Sequence, residues 1–322
     1  MTKKIGVVFS GFGSQFVGMA KDVYDDSRYV QEYFEEAYNC LGLNFVKLCF
    51  ASSDEEISKV SHAYLAIFLA DISLYSLLQE LGVQPDVIAG YGIGRYAALF
   101  VAGGFTFPDG LYLLNKYSNF YQEFLEHKHN LKMIAITGLA LRKMRVLCAE
   151  IAGEQGSLFV AAVHSDDSQL VVGQAKLVNK LELALAVISD QIIIKDLPLG
   201  WGLNSELAQE FVTNFKIYLA KVDFKDLKIP VLSNLNGKII SSGKAVKKEL
   251  VDCELNPIMW QKVVQGLAGC DIIIEVGPGH LLAQDLQKTY PDKIVLVLNK
   301  KDDIIKIKAL VVSNQQDTSY EE

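Results

Sequence analysis

The sequence predicts an α/β fold with a mainly parallel sheet and a small inserted α+β unit. Strand-like and helical segments alternate along the chain, which is typical of parallel sheets. Residues 86–101 read as a buried strand, a glycine turn and a helix. Residues from about 128 to 194 read as strand–helix–strand–strand–helix–strand, and this order indicates a separate, smaller sheet.

Short apolar runs rich in β-branched residues predict the strands, and apolar residues at intervals of three and four predict the helices. The predicted strands are 5–9, 86–89, 132–137, 158–163, 170–172, 192–196, 231–233, 272–275 and 294–298. The predicted helices are 27–41, 63–81, 95–101, 109–126, 175–188, 205–221, 257–268 and 280–289.

Composition limits the classes of function. The chain has 322 residues, half of them hydrophobic, and a net charge of −7, which disfavours a nucleic-acid partner. No apolar run approaches the roughly 20 residues of a membrane span, and the N-terminal apolar run is too short for a signal peptide. Five cysteines without C-x-x-C spacing predict reduced thiols in a cytoplasmic protein. The histidines show no metal-ligand spacing, so we expect neither a metal nor a cofactor.

The glycine turn is the most informative segment. Residues 90–94 read Gly-Tyr-Gly-Ile-Gly, which has the outline of the G-x-S-x-G nucleophile elbow between a strand and a helix. Gly90 and Gly94 can let the helix approach the strand closely. Gly92 stands where the elbow presents its serine and has no side chain. The five residues therefore favour an acyl-transfer fold and argue against acyl-transfer chemistry.

Six collinear segments resemble the malonyl-CoA–acyl carrier protein transacylase family. They read FSGFGSQ at 9–15, GYGIGRY at 90–96, LP at 197–198 followed by LNS at 203–205, SN at 233–234, NPIMW at 256–260 and EVGPG at 275–279. Order and spacing agree from about residue 4 to 299. The resemblance implies a hydrolase-like core (1–127 and 195–313), a ferredoxin-like insert (128–194) and an active-site gorge between them. Residues 314–322 are expected to be a disordered tail.

The resemblance also implies roles for individual positions. The family's nucleophilic serine falls on Gly92, its general-base histidine on Asn204, and the arginine that pairs with the malonyl carboxylate on Tyr117. The backbone N–H groups of Gln15 and Ile93 would form the oxyanion hole.

Four further positions are expected to line the pocket. Tyr64 and Tyr91 replace smaller or different family side chains, and Arg95 stands where the family has glutamate. Asn234 is the position expected to orient the base.

These replacements remove the three roles that catalysis needs. Glycine offers no nucleophile, the asparagine amide neither gains nor loses a proton near neutral pH, and tyrosine offers no positive charge. We therefore predict that Gly92, Asn204 and Tyr117 leave no intact catalytic residue.

Arg95 and His164 have two interpretations each. Arg95 is either a solvated arginine paired with Asp71 or Glu206, or a ligand for an anion at the helix start. His164 is either a hydrogen-bonded histidine or a base that points into the gorge. Ser14 could reach the gorge, but no base is placed for it.

Three functions remain open. The chain could be a pseudo-enzyme that binds an acyl carrier protein, a CoA thioester or an active paralogue. It could be an altered acyltransferase or thioester hydrolase without a covalent intermediate. It could also be a structural subunit of a synthase.

Overall fold

The computed structural model describes residues 3–127, 130–154 and 156–316. The helices are α1 Lys21–Asp26, α2 Arg28–Leu41, α3 Phe45–Ala51, α4 Asp54–Ser58, α5 Val60–Glu80, α6 Arg95–Val101, α7 Phe107–His127, α8 Leu141–Ala152, α9 Ala175–Ile188, α10 Gln209–Leu219, α11 Gly243–Leu255, α12 Trp260–Gly266, α13 Leu281–Thr289 and α14 Asp303–Gln316. The strands are β1 Ile5–Phe9, β2 Val87–Gly90, β3 Leu131–Thr137, β4 Leu158–Ser165, β5 Ser168–Gln174, β6 Ile193–Leu197, β7 Val231–Leu232, β8 Ile239–Ile240, β9 Ile272–Val276 and β10 Ile294–Leu298.

The larger sheet has the order β10-β9-β1-β2-β7-β8. All its pairs are parallel except β7–β8. Strand β1 lies between β9 and β2, so the carboxyl ends of three strands meet beside the glycine turn at residues 90–94. The predicted α/β class is confirmed.

The smaller sheet has the order β4-β5-β3-β6 and is antiparallel throughout. Helices α8 and α9 cover it over a hydrophobic core of its own. This is the ferredoxin-like arrangement that residues 128–194 predict. Two backbone hydrogen bonds join β4 of the smaller sheet to the segment before α12. Val163 N–H donates to Ile258 O (2.8 Å), and Ile258 N–H donates to Ala161 O (2.9 Å).

The predicted domain limits are only partly matched by the elements. The limit between residues 194 and 195 falls inside β6, Ile193–Leu197, so the smaller sheet extends three residues past it. The limit at residue 128 lies at residues 128–129, outside the described part. The predicted tail begins inside α14, which extends to Gln316, so its first three residues are helical; residues 317–322 lie outside the described part.

Helix α5 differs from the prediction that no apolar run reaches membrane-spanning length. By length and composition it is the one helix in the described ranges that could cross a membrane. Most of α5 is buried between the sheet and the other helices, as expected for the central helix of a globular core. All five cysteines are free, and all but Cys40 are buried.

Candidate functional site

The turn between β2 and α6 has the geometry of a nucleophile elbow. Gly92 has a φ of +54°, the left-handed region that ordinary residues enter at a cost. A Cβ at Gly90 would lie 2.2 Å from the carbonyl carbon of Gly94, and a Cβ at Gly94 would lie 2.1 Å from the carbonyl oxygen of Ser10. Only glycine allows these approaches. At Gly92 a Cβ would meet nothing closer than Ile258 Cδ1 at 3.7 Å, so the tip has room for a side chain that the sequence does not supply.

Asn234, which follows the neighbouring strand β7, makes two side-chain hydrogen bonds to the elbow. Its Nδ2 donates to Gly90 O (2.8 Å), and its Oδ1 accepts from Gly92 N–H (3.2 Å). The backbone N–H of Asn234 donates to the buried carboxylate of Glu249 (2.7 Å). Asn234 therefore fixes the two peptide groups on either side of Tyr91.

The expected role of Asn234 in orienting a base has no counterpart in these contacts. Its backbone carbonyl accepts from Met259 N–H (2.7 Å). Asn204 instead donates from Nδ2 to Cys253 O (2.6 Å). The signal for Cys253 is its place three residues before the N-P-x-x-W segment, which sequence reasoning did not use.

Asn204 occupies a backbone conformation that few residue types tolerate. Its φ is +38°, in the region where asparagine and histidine are enriched among non-glycine residues. The side chain is buried and held by the Cys253 carbonyl. An amide in this position can donate a hydrogen bond but cannot remove a proton.

Arg95 lies behind the elbow in a buried ion pair. Its Nη1 donates to Gly92 O (2.8 Å), and its Nη2 pairs with Glu254 Oε1. Arg95 is 4% exposed and Glu254 is 1% exposed. The expectation of a solvated arginine paired with Asp71 or Glu206 is therefore wrong. The helix start offers no free cation to an external anion either, because Glu254 already neutralises Arg95.

Tyr117 completes this network. Its hydroxyl donates to Glu254 Oε2 (2.5 Å), and burial raises the pKa of Tyr117, so the phenol remains a donor. Glu254 thus accepts from Arg95 and Tyr117 with its two oxygens. Sequence reasoning missed Glu254 because it did not predict α11. The signals for that helix were Ser242, which accepts a capping hydrogen bond from Ala245 N–H, and buried Val246 and Leu250 four residues apart.

Tyr64, Tyr117 and Tyr121 pack against one another beside this network. The ring of Tyr64 stacks on that of Tyr117 with centroids 5.6 Å apart. The Tyr64 hydroxyl donates to Gly200 O (2.8 Å), and the Tyr121 hydroxyl donates to Leu199 O (2.5 Å). All three rings are buried. The region where a malonyl group is expected therefore contains packed side chains.

Tyr91 points to the other side of the elbow, toward the smaller sheet. Its hydroxyl lies 2.7 Å from His164 Nε2. Burial lowers the pKa of His164 to about 4 and raises the pKa of Tyr91. At neutral pH the tyrosine is therefore the donor and the imidazole the acceptor. His164 is hydrogen-bonded, as one of its two interpretations has it, and it also borders a cavity of about 210 Å³ beside Tyr91.

Four of the predicted site residues are linked to one another, whereas Tyr91 contacts His164 instead. Gly92, Arg95, Tyr117 and Asn234 form one network through Gly92 and Glu254. Of the four expected pocket residues, Tyr91 borders the cavity, whereas Tyr64, Arg95 and Asn234 do not.

The two residues expected to form the oxyanion hole lie in the loop after β1 and in the turn before α6. Gln15 follows β1, and its Oε1 accepts from Gly13 N–H (2.8 Å). Ile93 lies in the single 3₁₀ turn that precedes α6. Oxyanion donation by Gln15 and Ile93 stays a prediction. In the described ranges no group of three or more histidine, cysteine or acidic side chains could hold a metal ion.

The fold and the elbow define an acyltransferase-type protein, and comparison with known proteins agrees. The acyl transferase domain model matches residues 7–318, so the chain belongs to that family. The malonyl CoA-acyl carrier protein transacylase of Bacillus subtilis (strain 168) is 29% identical over 290 residues, covering 88% of this chain and 90% of that protein.

The Escherichia coli (strain K12) protein of the same name is 31% identical over 280 residues, covering 85% of this chain and 89% of that protein. The crystal structure of the Clostridium perfringens malonyl CoA-acyl carrier protein transacylase superposes with a TM-score of 0.90 at 23% identity and covers 99% of this chain and 100% of that one. The chain is therefore a member of the acyltransferase family that is similar to the malonyl-CoA–acyl carrier protein transacylases.

Proposed function

We propose that this protein is a non-catalytic transacylase-like protein of fatty-acid or polyketide metabolism, which binds an acyl thioester or an acyl carrier protein without transferring the acyl group. The observation that carries the proposal is the elbow itself. Its glycine packing and its Asn234 clamp are intact, while the residue at its tip has no nucleophilic atom. Without a nucleophile no acyl-enzyme can form at this position.

The surroundings of Gly92 support the same proposal. The base position holds an amide tied to the Cys253 carbonyl. The position expected to bind a substrate carboxylate holds Tyr117, and an internal carboxylate, Glu254, already accepts its hydroxyl. A malonyl group would meet no free cation there and would have to displace a buried, neutralised pair.

The binding role is supported by the family. The curated relatives are named for malonyl-CoA and acyl carrier protein. The predicted partners of this chain are correspondingly an acyl carrier protein, a CoA thioester or an active paralogue. We place the protein in the cytoplasm, where its thiols would stay reduced.

The test measures transfer and binding separately. Purified protein is incubated with malonyl-CoA and acetyl-CoA, and intact mass and free CoA are followed, with an active transacylase as the positive control. We expect no adduct and no CoA release, together with measurable binding of holo or acylated carrier protein by calorimetry.

The other outcomes separate the alternatives. A covalent malonyl adduct on this chain would overturn the proposal. Free CoA without an adduct would indicate thioester hydrolysis by an altered enzyme. Absence of carrier-protein and thioester binding, with co-elution of a synthase subunit on size exclusion, would leave the structural role.

A further inference from the structure

A second feature lies on the opposite side of Tyr91 from the Arg95–Glu254 pair. It is the cavity of about 210 Å³ between the loop after β1, the elbow, β4 and the start of α13. Because one water occupies about 30 Å³ in the liquid, the cavity has room for about seven waters or for a small organic molecule.

Aromatic rings form much of its wall. Trp201 and Trp260 both line it with Tyr91. The ring of Tyr91 stands at 85° to that of Trp260, with centroids 5.2 Å apart, and at 73° to that of Trp201, with centroids 6.0 Å apart. Phe12 adds a fourth ring. The face of an aromatic ring carries the negative part of its quadrupole, so a ring whose face borders the cavity attracts a cation.

The charges around the cavity all have one sign. Glu275 and Asp285 line it, and no lysine or arginine does so among the described residues. The imidazole of His164, which also lines it, is uncharged at neutral pH. Burial raises the pKa of Glu275, whereas the N–H groups of Leu282 and Ala283 donate to its two carboxylate oxygens and favour the charged form. Asp285 is exposed at the rim. A phosphate or carboxylate ligand would be repelled here, whereas a cation would be attracted.

We propose that this cavity binds a small organic cation of the quaternary or methylated ammonium class. Such ions bind over aromatic faces beside carboxylates, by cation–π attraction and by charge. Trp260 lines the cavity, and its buried Nε1 has no hydrogen-bond partner in the described chain, which leaves one indole N–H donor for an oxygen of the ligand. The proposal does not depend on whether the protein transfers acyl groups.

The probe is choline, compared with 3,3-dimethylbutan-1-ol, which has nearly the same shape and no charge. Trp201 and Trp260 are the two tryptophans of the chain, so intrinsic fluorescence reports directly on the cavity; calorimetry at constant ionic strength provides an independent measurement. We expect saturable choline binding and about 5- to 30-fold weaker binding of the alcohol.

Four variants assign the effect to this site. Asp285→Asn should weaken choline binding several-fold and leave alcohol binding unchanged. Asp292→Asn makes the same change of net charge at an exposed residue that does not line the cavity, and it should leave both unchanged. Trp201→Leu should weaken choline binding more than Trp201→Phe, since leucine keeps the apolar contact and removes the ring face.

Three results would overturn the proposal. These are no choline binding by either method, equal affinities for choline and the alcohol, or equal effects of Asp285→Asn and Asp292→Asn. None of them bears on acyl transfer, so this inference and the proposed function fail separately.

Discussion

The hydroxyl of Tyr117 donates to Glu254 Oε2 at 2.5 Å, and this contact joins the acyl-pocket position to the elbow through Arg95. The resemblance predicts that the family has an arginine at the position of Tyr117, with an external malonyl carboxylate beside it. In this chain the carboxylate is internal and the arginine lies on the elbow helix. Charge balance is therefore maintained within the fold, without a substrate.

The buried Arg95–Glu254 pair should be strongly coupled. Glu254→Gln removes one charge and leaves Arg95 buried without compensation, so we expect the free energy of unfolding to fall by about 3–5 kcal/mol. The double variant Arg95→Met/Glu254→Leu should recover most of that loss because it removes both charges. Urea unfolding of the three proteins measures this.

Asp252→Asn is the control, since it breaks the Lys248–Asp252 pair of the same helix, in which Lys248 is exposed. Its effect should stay below about 1 kcal/mol. A loss for Glu254→Gln as small as that of the control would contradict a structural role for the buried pair.

The two glycines of the elbow should respond differently to alanine. Gly92→Ala meets open space and costs about 1–2 kcal/mol for its positive φ alone. Gly90→Ala drives a Cβ into the backbone of Gly94 and should cost more than about 4 kcal/mol or prevent folding. Soluble yield and urea unfolding distinguish the two cases, and similar losses at both positions would count against the elbow geometry.

Asn234 should be needed for the elbow to keep its shape. Asn234→Ala deprives Gly90 O and Gly92 N–H of buried partners, and we expect a loss of about 2–5 kcal/mol, since each unsatisfied group costs about 1–3 kcal/mol. Asn236→Ala is the matched control, because Asn236 only caps an exposed turn at Lys238. It should change stability by less than about 0.5 kcal/mol. Equal effects would show that the clamp is unimportant.

The imidazole of His164 should titrate near pH 4, which NMR of the ring protons can measure. Its pKa is lowered from 6.5 mainly by burial. The contribution of His164 to the free energy of unfolding is therefore complete above pH 6.5 and is lost as the pH falls toward 4. His164→Gln should remove this part of the pH dependence. Tyr91→Phe should keep the pKa below 6.5, because the burial remains; a return to 6.5 would make the hydrogen bond the main cause.

A preference for malonyl should require more than a restored nucleophile and base. Gly92→Ser/Asn204→His supplies both, and histidine suits the backbone at residue 204, so intact mass should detect trace acylation by malonyl-CoA and acetyl-CoA alike. Adding Tyr117→Arg together with Arg95→Met should not create a preference for malonyl, because Glu254 is then free to neutralise the new arginine.

The same Tyr117→Arg change with Arg95→Met/Glu254→Leu should create that preference. A malonyl preference in the variant that still contains Glu254 would contradict the internal-carboxylate interpretation. The stability of each variant is checked first by urea unfolding.

Local sequence signals account for most of the architecture. Apolar runs and the 90–94 glycines predict the parallel strands and the elbow, because these depend on periodicity and on steric limits close in sequence. The missed helix α11 shows the limit of this reasoning. Its charged residues obscured a short apolar repeat, so the burial of Glu254 was not predicted either.

What the sequence determined by itself is the absence of a hydroxyl at the elbow tip and of an imidazole at Asn204, since these follow from residue identity. Only the tertiary structure decided the partners. It pairs Arg95 with Glu254, 159 residues away, and Tyr91 with His164, 73 residues away. Burial in a shared core makes either charge of the first pair costly without the other, and the docking of the smaller sheet makes the second pair possible. Neither partner could be assigned from spacing along the chain.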